Sequence, residues 1–187
     1  MRIGSEISPG LTLLHYFRGI AVVMVVLLAS IGFDAKATEV TPYEGAATTG
    51  TAVSVATEGY DIEIGEQQFS LAQIENMPAY QTKIKTHWNA EGIFIGVNFV
   101  DLLHRAGIED FKRVFARASN DYKVTISSDD AGIDQALLAY SINGALFDLN
   151  NKGPYWLIWP EQAEGLLTGE DSGAKWIWSV VEIRKVR

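Results

Sequence analysis

Two adjacent side chains at the end of one alternating run carry most of the chemistry this sequence offers. They are His87 and Trp88, in Lys83-Ile-Lys-Thr-His-Trp-Asn-Ala-Glu-Gly92. An imidazole can move a proton or ligate a metal, and an indole offers a π-face with a single N–H donor. The rest of the chain narrows both options. There is no cysteine, which excludes thiolate nucleophiles, zinc–thiolate and iron–sulfur sites and covalent haem attachment. Of the three histidines, His15 falls in an N-terminal leader-like segment, and His87 with His104 is short of the three or four converging ligands a zinc site needs. In the alternating run His87 shares a face with Lys83 and Lys85, so a solvated imidazole at the rim of a pocket is expected rather than an acid–base group. Trp88 shares its face with Ile84 and Thr86. Two readings stand for it: a core aromatic, or the wall of a ligand cleft.

A second group of polar side chains follows at Arg117-Ala-Ser-Asn-Asp-Tyr122. Arg117 shares a strand face with Phe115 and Ser119, where a guanidinium either clamps a polar ligand edge or makes a surface ion pair. Ser119, Asn120 and Asp121 have turn composition, and Asp121 either bonds a ligand or caps its own turn. Asp129 and Asp130 precede a short apolar run, where capping and helix-dipole roles are the simpler reading. Trp156, Trp159, Trp176 and Trp178 cluster near the C-terminus, as core, cleft lining or an exposed patch for a partner. No nucleophile triad, phosphate loop or EF-hand pattern occurs beyond the first 37 residues.

The elements that must position these groups are short. Ser70-Leu-Ala-Gln73 is a capping box opening a helix with Leu71 and Ile74 inward, stopped by Pro78. Tyr80–Trp88 reads as a strand, and Asn98–Gly107 as a helix burying Phe99, Leu102, Leu103 and Ala106. Val114–Ala118 and Tyr122–Ile126 read as paired strands, and Ile133–Leu138 as a third short helix. Asn143-Gly144 marks a two-residue hairpin, and Tyr155–Trp159 and Trp176–Val186 read as closing strands. Strands with scattered short helices, and no regular β–α alternation, predict an α+β domain that is mainly β.

At the N-terminus Arg2 and Arg18 precede the uncharged run Gly19–Phe33, and Ala35-Lys-Ala37 is a small-residue cleavage pattern. That layout predicts a secretory signal peptide over 1–37, cleaved near Ala37, against the alternative of an uncleaved anchor. A flexible lead-in is expected over 38–52 and one domain over 53–187, with a periplasmic or secreted location. The net charge of −8 argues against nucleic acid as a partner, since that affinity rests on cations neutralising phosphates.

Taken in order, Phe69-Ser-Leu-Ala-Gln-Ile, Met77-Pro, Lys85-Thr-His-Trp, Phe94-Ile-Gly-Val followed by Asp101-Leu-Leu, Ala118 with Asp121-Tyr, Leu137-Leu-Ala, Asn143-Gly and Gly153-Pro with Pro160 form a pattern. It resembles the oxidoreductase molybdopterin-binding domain, of sulfite-oxidase type, over Asp61–Val186. Enzymes of that family hold molybdenum through a cysteine thiolate at the place that reads Thr86-His87-Trp88 here, and they commonly carry an arginine that Tyr155–Trp159 lacks. The resemblance is therefore closest to the small secreted members without cysteine. For these it implies a reduced pterin bound without molybdenum, with occupancy relayed to a membrane-bound enzyme of cyclic-di-GMP signalling. Carried onto this chain, the expected ligand-binding residues are Thr86, His87, Trp88, Arg117, Ser119, Asn120, Asp121 and Tyr122, with no catalytic residue and no metal. Two alternatives stand beside this one. One is a molybdopterin-dependent oxidoreductase whose metal is held by the cofactor alone; the other is a protein-docking subunit.

Overall fold

The computed structural model of the chain describes residues 38–45 and 58–186. The expected signal peptide lies outside the described residues. So does the 46–52 part of the expected lead-in.

The chain runs through β1 (Thr41–Pro42), β2 (Ile62–Ile64), β3 (Gln67–Phe69), α1 (Leu71–Glu75), β4 (Ala79–Lys85), β5 (Glu91–Asn98) and α2 (Phe99–Arg105). It continues with β6 (Arg113–Ala118), β7 (Lys123–Ser127), β8 (Leu137–Ile142), β9 (Ala145–Leu146), β10 (Trp156–Ile158), α3 (Ala163–Thr168) and β11 (Val180–Lys185). Short 3-10 turns occupy Ile133–Gln135 and Pro160–Gln162. The domain is mainly β, as expected, and its strands form two sheets. One has the order β1-β4-β5-β8-β10 with β9 paired to β8, and the other has the order β3-β2-β11-β6-β7. Pairing is antiparallel throughout except between β11 and β2. Among the described residues no helix is long and apolar enough to cross a membrane.

Local signals account for the helices that pack into the core. Ser70 accepts from Gln73 N, and the Gln73 side chain accepts from Ser70 N at 2.8 Å, which together make the expected capping box. Asn98 closes β5 and caps α2, its Oδ1 accepting from Val100 N at 2.9 Å and Asp101 N at 3.0 Å. Phe99, Leu102 and Leu103 are fully buried on one side of α2, while Asp101, His104 and Arg105 face water. The buried side chains of both sheets form one core, in which Phe94, Ile62, Leu137 and Trp159 are fully enclosed.

Four expectations about the elements are corrected. Thr41-Pro42, read as part of a flexible lead-in, is paired to Gln81 and Tyr80 at the edge of the first sheet. Leu137-Leu138, read as the end of a helix, opens β8, which lies between β5 and β10. Every side chain from Leu137 to Ser141 is buried there, so the alternation that marks a half-exposed strand is absent. The run Tyr80–Trp88 is a strand only to Lys85, beyond which the chain turns. Thr86 N donates to Ala90 O at 2.8 Å, and Asn89 takes a left-handed φ of 63°. The alternation of faces nevertheless persists through the turn: Thr86 is 0 % exposed, His87 is exposed and Trp88 half-buried.

The second closing strand also starts later than expected, at Val180. The four residues before it carry the chain from one sheet to the other. Ile177 pairs with Leu157 of β10, through Leu157 N to Ile177 O at 2.8 Å and Ile177 N to Leu157 O at 3.2 Å. Val180 then joins β6 in the second sheet. Ser179 N donates to Lys152 O and Val180 N to Tyr155 O, which fixes this crossing against the loop before β10. Trp176 and Trp178 flank Ile177 at the crossing.

Candidate functional site

The turn after β4, the end of β6 and the crossing segment meet at one end of the two sheets. Between them lies a cleft of about 460 Å³, a volume inside the range of roughly 300–1,000 Å³ typical of small-molecule sites. Its walls are mostly rings, from His87, Trp88, Tyr122, Trp176 and Trp178, with Asn120 as a polar neighbour and the loop Ser172–Ala174 as one side.

The rings meet at steep angles. Trp88 and Trp176 are 6.0 Å apart at 75°, and His87 lies 4.4 Å from Trp88 and 5.7 Å from Trp176. Behind them Trp156 stands edge-on to Trp88 at 5.1 Å and stacks on Phe147 at 4.6 Å and 7°. Trp88 is thus held by the aromatic core from behind and borders the cleft in front. Tyr122 is 54 % exposed, which leaves its ring open to an incoming molecule.

The loop side of the cleft is held by specific groups. Gly173 has φ 61°, and a Cβ there would sit 2.8 Å from Leu166 Cδ2 and 3.3 Å from His87 Cε1. Glycine takes that backbone without strain and leaves the imidazole and the Leu166 side chain room. The Lys175 ammonium pairs with the Asp130 carboxylate, whose second oxygen accepts from Ser127 N at 2.8 Å. Asp130 therefore anchors the loop to β7, and the capping role expected of the acidic pair is not the one it takes, since the Ile133–Gln135 turn has Gly132 as its N-cap and no side-chain capping bond.

The polar groups of the cleft are largely uncommitted. The side chains of His87, Trp88 and Tyr122 make no hydrogen bond among the described residues, and Trp176 Nε1 is buried without a partner. The His87 imidazole is held below its ordinary pKa, first because packing against the two indoles strips water from it, and then because of the positive charge of Lys152. It is therefore largely neutral at pH 7, with one ring nitrogen donating and the other accepting.

The eight expected binding residues divide. His87, Trp88, Asn120 and Tyr122 line the cleft. Thr86 is buried beneath it, its Oγ1 accepting from Ala90 N at 3.2 Å, and shapes the turn that carries Trp88. Ser119 is exposed and donates its N–H to Ser179 O, joining β6 to the crossing segment. Arg117 and Asp121 do not border the cleft. Arg117 Nε bonds the Glu182 carboxylate and Nη1 lies 3.3 Å from Asp121, so the surface ion pair is the reading the geometry realises. Sequence reasoning had weighed Trp176 and Trp178 as lining without placing them, and it missed the Ser172–Ala174 loop. The only signal there is turn composition, which names no chemistry.

No set of three or more His, Asp or Glu side chains able to hold a metal ion occurs among the described residues, and His87 is the one metal-ligating group in the cleft. A larger hollow of about 710 Å³ lies beside the start of α2, bordered by Glu39, Asp101, Asp134 and Glu161. It offers four carboxylates and a single ring, Tyr80, so size does not select it over the aromatic cleft. No family model matches the chain, and no curated protein matches it.

Proposed function

We infer that this domain is of the sulfite-oxidase type and serves as a binding protein for a reduced pterin held without molybdenum. The observation that carries the reading is the cleft itself, ring-walled and with unspent hydrogen-bonding groups. A pterin is a flat bicycle with a polar amino-pyrimidinone edge. It would lie against the Trp88 or Trp176 indole, gaining about 0.5–1.5 kcal/mol per ring contact beyond burial. Its edge would take hydrogen bonds from Asn120, the neutral His87 and Tyr122, each worth about 1–3 kcal/mol against an unpaired buried group. On this reading the cleft residues supply stacking faces and hydrogen-bonding groups, and binding is the chemistry asked of them.

Occupancy would be relayed by the cleft's rim to the periplasmic part of a membrane protein that makes or breaks cyclic-di-GMP. The physical demand is small. A ligand that orders the Ser172–Ala174 loop and Tyr122 need only bias a partner's preference by about 1–3 kcal/mol.

The test is direct. Protein purified from the periplasm is denatured, the released small molecules are identified by fluorescence and mass spectrometry, and molybdenum is assayed on the same sample. Stoichiometric pterin without metal is the expected result. Stoichiometric molybdenum would return the protein to the oxidoreductases, with the metal held by its cofactor. With neither present, failure of added reduced pterins to bind would leave a docking subunit.

A further inference from the structure

β7 is the last strand of the second sheet, and no strand among the described residues lies beyond it. The register against β6 decides which way its backbone groups point. Ala118 N donates to Tyr122 O at 2.8 Å and Ser128 N to Lys112 O at 3.1 Å, in the same register as Val114 with Ile126 and Ala116 with Val124. Hydrogen-bonded and non-bonded pairs alternate along an antiparallel ladder, so the N–H and C=O of Lys123, Thr125 and Ser127 are turned away from β6. Ser127 is accounted for, since its N–H goes to Asp130 Oδ2 and its carbonyl accepts from Asp130 N at 3.2 Å. Lys123 and Thr125 are exposed, and their outward backbone groups have no hydrogen-bond partner among the described residues.

Such an edge is a template for one more strand, and the side chains beside it say which kind. β7 carries one charged side chain, Lys123, whose ammonium lies 5.3 Å from the centroid of the Phe115 ring. Arg113, opposite Ser127 on β6, is exposed, and neither cation has an ion pair among the described residues. Two of the nearby carboxylates are spent: Asp121 faces Arg117 at 3.3 Å, and Asp130 pairs with Lys175. Asp129 lies past Ser127, where the edge is already closed. A second copy of the chain would bring another Lys123 and Arg113 to the same place, and like charges facing across a ladder destabilise it.

The edge also touches both sides of the cleft. β7 starts next to Tyr122, which borders the cleft, and its far end is tied through Asp130 to Lys175, between the Ser172–Ala174 loop and Trp176. We propose that β7 is a docking edge for an extended acidic segment of a partner protein, which adds as a further strand and sets a carboxylate beside Lys123. The edge is independent of what fills the cleft; only its use in a relay rests on the ligand-binding reading.

The experiment uses the purified protein with no ligand added and two capped heptapeptides, one alternating glutamate with valine and the other lysine with valine. Binding is followed through the backbone amide signals in nuclear magnetic resonance. The glutamate peptide is expected to bind about tenfold or more tighter than the lysine peptide, and to slow amide exchange of Lys123 and Thr125 about tenfold or more. Methylating the backbone nitrogens of its glutamates should abolish binding, because those N–H groups face β7, whereas methylating those of the valines should not. Lys123→Glu should reverse the preference between the peptides. Thr125→Pro should block the edge and spare the sheet, since that N–H faces away from β6, and denaturant unfolding of both variants reports whether they fold normally. Equal binding of the two peptides, signals that move elsewhere than β7, or no binding at millimolar peptide overturns the proposal. So does slow exchange of the Lys123 and Thr125 amides without peptide that speeds up on dilution, which makes a second copy the occupant. Each of these leaves the pterin reading standing, and a protein that binds the acidic peptide but no pterin keeps the edge as that of a docking subunit.

Discussion

Arg117 and Ala118 are consecutive residues of β6, yet they belong to regions built on opposite principles. Ala118 borders the aromatic cleft, whereas Arg117 stands on the outer face of the second sheet. On that face the strand register sets Arg117 opposite Glu182 and Glu182 opposite Glu63. Two guanidiniums share the Glu182 carboxylate, from Arg117 and Arg184, and Arg184 Nη2 reaches on to Glu63 at 2.9 Å. Each of these four charges is matched within its own sheet. In the cleft, by contrast, the rings and the imidazole have their polar atoms unspent. What separates a structural patch from a binding site here is not the presence of polar residues, for both regions have them, but whether neighbours have already satisfied them.

The largest expected effect comes from removing the wall of the cleft. Trp88→Ala should weaken pterin binding by roughly 30–100-fold, about 2–3 kcal/mol, the scale of a buried aromatic anchor. Trp88→Phe, which keeps a ring on the same turn, should retain most of the affinity. Calorimetric titration of both variants checks this. An alanine variant that binds like wild type would make the cleft a packing defect and erase the contrast between the two regions. Filling it from the loop side is a smaller insult. Gly173→Ala places a methyl against Leu166 and His87 and imposes a backbone strain of about 1 kcal/mol or more, so affinity should fall about tenfold with the rest of the fold intact.

On the other face, Glu182→Gln should cost about 1–2 kcal/mol of stability, because two guanidiniums lose their common partner. Pterin affinity should be unchanged. Arg117→Ala should cost less, under about 1 kcal/mol, since its contact with Asp121 reaches a carboxylate that is 85 % exposed, and binding should stay within twofold of wild type. Loss of binding in Arg117→Ala would invert the comparison and restore the guanidinium as a ligand clamp.

The same division explains what could be read in the sequence. Features written in a few consecutive residues were legible, among them the Ser70–Gln73 capping box, the Asn98 cap and the hairpin at Asn143-Gly144, where both residues take positive φ. So was Trp88, because alternation along β4 continued into the turn. The misreadings share a cause, which is that the deciding contact is remote. Leu137-Leu138 is a strand because β5 and β10 flank it, and their partners cannot be seen locally. The helix α3 has Gln162 as its N-cap with no side-chain capping bond, and its six residues are too few for a period. Arg117 and Asp121 were expected in the site from a strand face and from the family resemblance, but Glu182, which binds the guanidinium, lies far along the chain on β11. Trp176 and Trp178 reach the cleft through the pairing of Ile177 with Leu157, a contact no local pattern announces.

Proton linkage gives the finest test, because the two regions respond in different pH windows. Burial works to raise the Glu182 carboxyl, but the hydrogen bonds from Arg117 and Arg184 outweigh it and hold the group below its ordinary 4.5. Its contribution to stability is complete above that value and is lost only as pH falls through the depressed folded pKa. His87 acts higher on the scale. With its folded pKa below 6.5, the unfolded chain takes up the proton first, so stability declines as pH drops through 6.5 toward the folded value. The loss is small, because the imidazole keeps much of its contact with water. Denaturant midpoints at pH 7.5, 5.5 and 3.5 should therefore show a slight early decline that His87→Gln removes, and a later, steeper one that Glu182→Gln reduces. Bound pterin should enlarge the early step, since a ligand packed on the neutral imidazole disfavours its protonation further, and should leave the late step unchanged. A ligand that altered the late step instead would be binding at the ion ladder, not in the cleft.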